Sequence, residues 1–535
     1  MGGAPRSVGA GSGAERIDTD VLVVGAGPSG LMAAVCLAKL GVDTVVVDGK
    51  TGPTRESRAL AVQARSMELY DQLGLVDRVL AERSTATSVV PGMGRGRPFG
   101  RIHLRALGSG VTPYREITVF EQSRNERLLV DALGELGVGV RWGHRLERLE
   151  VGADWASGAA DAAASVTATL AGPDGPVTVH ARYCVGADGA HSLVRESLGI
   201  PFEGVTNEHT FYVSDASGVT GLARDAINVR ITAEHFLLAF PMGPGRARLL
   251  GVVRDRDRDE RGELPEDLVR GVLDREFGVR YAASAWFTTY RLHHRLAARF
   301  RDGPCFLVGD AAHIHSPVGA QGMNTGLQEA HDLACALADV VVGGMPDARL
   351  DRYEAERRPV GRVLVATTDR VFAAVTSASR TARFVRGRIV PFIGPIAVRL
   401  APLLIGGRRV FGYLSQTRIR YAVPDAAGTR RSRAVGVRLR WAGENFAALR
   451  SMQWQVHGYG VPERAVRRIA AELAADAHVG VEAHAFARDT GRPRRARLRA
   501  DRVYLVRRDG FVVAEVLAPG TGADLDAARS RLAGF

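Results

Sequence analysis

Three apolar strand runs that each end in glycine predict an α/β fold whose first domain is discontinuous along the chain. They lie in the segments Val21 to Gly30, Val185 to Ser192 and Phe306 to His313. Each places a glycine where a strand hands over to a loop, the position at which open α/β sheets meet their ligands. The first run continues into a helix and a second strand, a βαβ unit of the length of a Rossmann-like nucleotide fold. With 535 residues the chain exceeds one ordinary core, so two or three domains are expected.

Taken in order, residues 1–17 are rich in Gly, Ala and Ser without an apolar h-region, and are expected to be a disordered tail, not a signal peptide. The strand 20–24, the helix 29–40 and the strand 43–48 open a domain expected at 18–208 and 292–421, with a helical extension in its second piece. Helices follow at 64–74, where Gly74 supplies the stop, and at 122–136. Between them, 85–110 is rich in Gly, Pro, Arg and Ser and reads as loop or irregular strand. Residues 151–177 contain a surface hairpin, and 183–186 returns to a buried strand. From 209 to 291, short alternating runs such as 235–241 and 246–253 predict an inserted β-sheet domain. Residues 303–309 re-enter the first domain, a long helix runs over 325–342, and 359–417 reads as mostly helical. Turn formers and charge at 423–432 mark a linker. The last piece, 433–535, is long enough for a small α/β domain, with strands at 503–506 and 511–513 around the turn Arg508 to Gly510.

Composition narrows the function classes. Hydrophobic content of 46% with 24% charged residues belongs to a soluble globular chain, not a disordered one. The +13 balance is carried almost wholly by scattered arginine, since lysine stands only at positions 39 and 50. Without clustering and aromatic interleaving this does not predict nucleic-acid binding, and it is compatible with anionic cofactors. Cys36, Cys184, Cys305 and Cys335 have no metal or CxxC spacing, so buried thiols, no metal site and a reducing cytoplasmic setting are expected. No run reaches about 18 apolar residues, so no stable membrane insertion is expected. The nearest candidate, 389–411, reads as a helical hairpin packed on the body, with membrane-surface association as the alternative.

The chemistry lies in the glycine segments. Gly25-x-Gly27-x-x-Gly30 gives a tight turn, a close backbone approach to a pyrophosphate and close packing of helix on strand, in that order. Asp48, eighteen residues past Gly30, is placed to accept hydrogen bonds from an adenosine ribose. Asp188-Gly189 and Gly309-Asp310 end strands, and Asp310 is placed for a ribityl hydroxyl. The glycine-rich loop from Ser316 to Asn324 leads into a helix whose N–H groups suit a flavin pyrimidine, where negative charge collects on reduction.

With these segments in this order, the chain resembles the FAD-dependent aromatic hydroxylases built like para-hydroxybenzoate hydroxylase, the class A flavoprotein monooxygenases. The likeness runs from about Asp18 to Tyr421 and includes the stretch Tyr290 to Arg301. The C-terminal piece resembles, more weakly, the thioredoxin-like domain of the longer phenol and polyketide hydroxylases. It contains no cysteine, which excludes a thiol redox role and leaves a structural or dimer-contact one. The resemblance implies that Gly25, Gly27 and Gly30 hold the ADP part of FAD and Asp48 its ribose. It places Arg58 on the phosphates or the mobile flavin, and Gln122 on the cofactor. Asp188 with Gly189 would serve FAD and NAD(P)H, and Asp310 the ribityl chain, while Pro317, Gly319, Gly322, Met323 and Asn324 would line the isoalloxazine. Two positions depart from the family pattern: Asp48 stands where Glu is usual, and Ala320 where glycine is commoner.

The same resemblance implies NADPH or NADH as reductant and O2 as co-substrate. The C4a-hydroperoxide of the flavin would then deliver an electrophilic oxygen to a phenolic or polycyclic, polyketide-like ring. The substrate pocket is expected between the inserted sheet and the flavin loop, with Phe236, Phe240, Met242 and Trp286 as candidate walls. No residue stands out as a general base. His293 and His294 suit packing or salt bridges, and His313 and His315 suit hydrogen bonds that organise the loop. A homodimer is left open. So are a Baeyer–Villiger-type oxygenase on the same fold and a non-catalytic flavin-binding protein. A flavin-dependent halogenase is disfavoured by the lack of a Trp-x-Trp-x-Ile-Pro segment.

Overall fold

A computed structural model describes residues 15–55, 59–152, 165–253, 264–316, 319–377, 379–401, 407–423, 432–475, 479–487, 498–518 and 522–533. Most of the expected tail and linker therefore lies outside the described residues. The first strand, Glu15–Val24, begins inside the stretch expected to be tail, because its early residues pair in parallel with Val177 to Ala181.

That strand sits in the middle of the first sheet, between Gly175–Gly186 and Thr44–Asp48, and parallel to both. Cys305–Leu307 and Val140–Trp142 extend the parallel order on either side. Val21, Leu22 and Val23 are fully buried, so both faces of this strand are covered. The helices Pro28–Lys39 and Gly322–Val341 pack together on this sheet. The second starts three residues earlier than the sequence pattern places it, at Gly322. All four cysteines are buried free thiols, and Cys184 and Cys305 are register partners on neighbouring strands. The helix Ala64–Leu73 stops where Gly74 takes φ +81°, a conformation that costs glycine little.

The inserted sheet is larger than its pattern. Phe202–Ser217 and Ala283–Ala297 pair antiparallel along most of their length and run past both ends of the 209–291 window. It also recruits Ser88–Met93 and Ile102–His103 from the segment read as loop or irregular strand. Pro91 and Gly92 hide that strand in the sequence, since both are poor strand formers. Within Phe236–Gly243, alternation divides the side chains cleanly. Leu237 and Ala239 pack under the helical segment around Val269, Leu273 and Phe277. Phe236, Leu238, Phe240 and Met242 face the opposite way, towards Leu60, Ala61 and the first domain.

The C-terminal domain has the thioredoxin-like order: Trp454–Tyr459 pairs in parallel with Val481–Phe486 and antiparallel with Arg502–Val506, which pairs with Val512–Leu517. Helices Glu463–Ala474 and Gly522–Ala533 complete it. The turn of its last hairpin, Arg507 to Gly510, is driven into the first domain. Among the described residues, no helix is long and apolar enough to cross a membrane.

Candidate flavin site

The three glycines of the first turn have three different surroundings. Gly25 holds φ +103°, and a Cβ there would lie 2.4 Å from the Ala187 carbonyl oxygen, at the end of the neighbouring strand. A Cβ on Gly30 would lie 1.8 Å from the Gly25 oxygen, so this helix reaches its strand only with glycine here. A Cβ on Gly27 would meet nothing within 4 Å. The crowded pair builds the turn. The open one leaves a cradle in front of a helix N-terminus, whose first N–H groups have no intrahelical partner and carry the positive end of the dipole. A pyrophosphate fits that space and that charge.

Asp48 stands beside this turn. One oxygen accepts from the Ala26 N–H at 2.7 Å and the other from the Lys50 N–H at 2.8 Å. The shorter acid thus braces the glycine turn. Lys50 Nζ lies 3.7 Å from both Asp48 and the buried Glu126. Gln122 clamps the segment before the site: its Oε1 accepts from Ala59 N–H at 3.1 Å and its Nε2 donates to Glu126 at 2.9 Å. Arg58 and Pro317 lie outside the described residues.

The second and third glycine-bearing strand ends close on the first. Ser29 fits a notch cut by Gly309 and Gly326: a Cβ on either would lie 2.5 or 2.3 Å from its Oγ. Gly309, at φ +60°, donates its N–H to Glu329 at 3.0 Å. Asp310 is exposed at the edge of this junction. Asp188 is half-buried and accepts from the Val194 N–H at 3.1 Å, so it fastens the start of the helix Leu193–Ser197. Burial raises its carboxyl above the ordinary range.

The flavin loop is held by Asn324, which the sequence singled out, together with Gln63 and Ser66, which it did not. Asn324 is fully buried, and its amide is wholly spent on protein. Its Oδ1 accepts from Gln63 N–H and Ser66 Oγ, each at 2.8 Å, and its Nδ2 donates to the Ala61 and Ala320 carbonyls at 2.8 and 2.9 Å. The residue expected to line the isoalloxazine therefore acts as a fastener of the loop. Gln63 adds bonds to the Gly319 and Ala320 carbonyls at 3.1 and 3.2 Å. Met323 takes a weak contact from Asn125 Nδ2 at 3.5 Å. Gly319 holds φ +97°, and Ala320 holds φ +51°, where an L side chain is strained. Ala320→Gly is expected to stabilise the protein by about 1 kcal/mol, seen as a higher urea midpoint; an unchanged or lower midpoint would show that the loop is not strained there.

The histidines divide as their sequence context suggested. His313 Nε2 lies 2.9 Å from the buried Glu329, which also takes the Gly309 N–H and has Arg357 at 3.9 Å. Burial alone would lower His313, but the Glu329 carboxylate outweighs it and the imidazole is raised above its ordinary 6.5. A raised folded-state value gives stability that is full below 6.5 and lost as pH climbs through the raised value. Glu329→Gln should lower the His313 titration followed by NMR and flatten this decline of stability with pH. An unmoved titration would remove Glu329 as the cause. His315 is pushed down to about 3, first by burial and then by the charge of His313, so it stays neutral. Its Nδ1 faces the Ser316 carbonyl at 2.7 Å and must carry the proton, which makes Nε2, buried beside Gly322, an acceptor. His294 is buried with Asp369 3.8 Å away, while its neighbour His293 is half-buried.

The four candidate walls are together. Phe236, Phe240 and Met242 are buried in one apolar cluster, and Trp286 packs against it with Ala320 of the flavin loop. One charged pair interrupts this face. Arg248 lies opposite Phe240 and Asp215 opposite Trp286 in register, and Arg248 binds Asp215 through two nitrogens at 2.6 and 2.7 Å. The guanidinium sits 5.7 Å from the Trp286 ring and contacts the Ala59 carbonyl at 3.4 Å. Two ionisable residues at inward positions of apolar strands were the signal for this pair.

A family profile described as "FAD binding domain" matches residues 18–368. The chain belongs to the FAD-dependent aromatic hydroxylase family. It is 35% identical over 395 residues to 6-methylpretetramide 4-monooxygenase of Streptomyces rimosus, across 71% of this chain and 64% of that protein. The match thus spans just under two thirds of that relative's length. It is 34% identical over 362 residues to the 12-dehydrotetracycline 5-monooxygenase/anhydrotetracycline 6-monooxygenase of Streptomyces rimosus subsp. rimosus, across 65% and 68% of the two chains. Among solved structures it is similar to OxyS anhydrotetracycline hydroxylase from Streptomyces rimosus, with TM-score 0.73 and 27% identity over 97% and 99% of the two chains. That likeness extends through the cysteine-free C-terminal domain, whose fold the family member shares.

Proposed function

We propose that this family member uses FAD and NAD(P)H to place one oxygen atom from O2 on a phenolic or polycyclic aromatic ring. The observation that carries the reading is the meeting of the apolar face of Phe236, Phe240 and Met242 with Ala320 of the glycine-rich loop, which supports an aromatic-lined wall next to where the flavin would bind. The relatives' names, which refer to pretetramide and tetracycline compounds, support a fused-ring substrate.

On this reading Gly25, Gly27 and Gly30 cradle the ADP end, Asp48 holds the ribose, and Asp310 the ribityl chain. Gly319, Gly322 and Met323, with Pro317, border the ring, and Asn324 holds that border in place. Arg58 and Gln122 bear on the FAD side, and Asp188 supports the cofactor site by fastening the helix Leu193–Ser197 beside it. Bound and reduced FAD supplies the activated oxygen. The chain's own part is to hold the ring against the apolar wall and keep water out. The balance is substrate C–H, O2, NAD(P)H and a proton giving C–OH, NAD(P)+ and water. Dimer formation and a cytoplasmic location fit this role and remain part of the proposal.

The test is product analysis with purified, FAD-loaded protein, each nicotinamide in turn and a panel of fused-ring phenols. The expected product carries one added ring hydroxyl. A ring-expanded ester would point to Baeyer–Villiger chemistry, and a flavin that neither nicotinamide bleaches under any aromatic ligand would point to a binding protein.

A further inference from the structure

One surface has no part in the flavin site. The helical segment from Arg380 to Ala401 presents a stripe of large apolar side chains to solvent. Phe392 is 76% exposed, Ile396 58% and Ile393 52%, with Val385, Ile389 and Leu400 continuing the stripe at three- and four-residue steps. The opposite face is already docked. Gly394 lies against the Phe99 ring, Val398 lies against Gly100, and Arg386 donates to the Ala233 carbonyl at 2.8 Å and the Ala374 carbonyl at 3.0 Å. This helix therefore has an anchored apolar face and an unpartnered one. A contiguous exposed patch of this kind on an otherwise soluble body marks an interaction surface.

Charge decides the occupant. From residue 370 to 424 the chain holds ten arginines and no Asp or Glu. Arg388 and Arg399, both exposed, lie eleven residues apart, three helical turns, and border the stripe on the same side. Neither has an ion-pair partner among the described residues. A second copy seated on this face by two-fold symmetry would bring arginine edges together with no carboxylate in the segment to neutralise them. An anionic lipid surface answers both features at once: apolar side chains enter the headgroup boundary, and guanidiniums meet phosphate.

We infer that the outer face of the helical segment 380–401 docks reversibly on anionic membrane surfaces, lying in the interface without spanning it. The test is vesicle co-sedimentation of the full-length, FAD-loaded protein at low salt. Phosphatidylcholine vesicles are compared with vesicles containing one third phosphatidylglycerol. The expected result is binding to the anionic vesicles at least about tenfold tighter than to the neutral ones, weakening with added salt. The double variant Phe392→Asp, Ile396→Asp should lose that binding while keeping its flavin, and Arg388→Gln with Arg399→Gln should lose the preference for anionic lipid. No binding to anionic vesicles would overturn the inference, as would binding that survives Phe392→Asp, Ile396→Asp. A concentration-dependent dimer that the same double variant abolishes would also overturn it, by assigning the face to a second copy.

Discussion

Arg507→Leu is expected to cost about 3–5 kcal/mol of stability, the cost of removing one partner from a buried ion cluster. Arg507 is 2% exposed on the turn that the C-terminal domain drives into the first domain. It lies 2.6 Å from Asp509, 2.8 Å from Glu356 and 3.3 Å from Asp332, all buried. Burial works against charge on Asp509, and Arg507 overrides it, holding that carboxyl well below the ordinary range. Burial and the Asp509 charge push Asp332 up instead. Leucine would leave Asp332 and Asp509 in a low-dielectric interior without their cation, while Glu356 keeps Arg352 at 2.7 Å. The neighbouring contacts are equally committed: Arg508 binds Asp339 at 2.7 Å, and Arg65 donates to the Asp509 carbonyl at 2.8 Å. Urea unfolding followed by circular dichroism measures the loss. Arg507→Lys should fall between, since it keeps the charge and loses the planar fork. A change under about 1 kcal/mol for Arg507→Leu would mean that the cluster is solvated and the two domains are only loosely joined.

The second large effect separates folding from cofactor binding at one turn. Gly30→Ala puts a Cβ where the Gly25 oxygen already sits, so the helix must leave its strand. The expected protein is insoluble or strongly destabilised, without flavin. Gly27→Ala is different, because Gly27 has extended backbone at φ −81° and an open side. Without FAD it should unfold within about 0.5 kcal/mol of the parent. Its FAD affinity should fall at least about tenfold, or 1.4 kcal/mol, because the methyl occupies the space of the pyrophosphate. Native FAD affinity in Gly27→Ala would place the phosphates elsewhere.

How far the sequence reached depends on the range of the interaction. The turn at Gly25 and the close packing at Gly30 were legible because turn, strand and helix lie within a dozen residues and backbone geometry alone assigns them. The alternation in Phe236 to Met242 likewise put three of the four candidate wall residues, Phe236, Phe240 and Met242, on one face. The fasteners were not legible, since Asn324 reaches Gln63 and Ser66 across some 260 positions, and Glu329 reaches back to Gly309 and His313. No local pattern reports such pairings, so the four bonds that fix the Asn324 side chain in its loop could not be read from the sequence. Ala320 looked like a minor departure until its positive φ turned it into a point of strain. The turn at Arg508 to Gly510 was visible as a hairpin; that it carries the join between domains follows only from where its arginines land.

The central claim is that this chain holds FAD in the cradle at Gly27 so that oxygen from O2 reaches an aromatic ring held by the inserted sheet. Isotopically labelled O2, supplied to the FAD-loaded protein with NADPH or NADH and a fused-ring phenol, tests it most directly. One labelled atom in the ring product, and none when only the water is labelled, is the predicted result. Label from water, or a colourless protein that takes up no FAD, would contradict it.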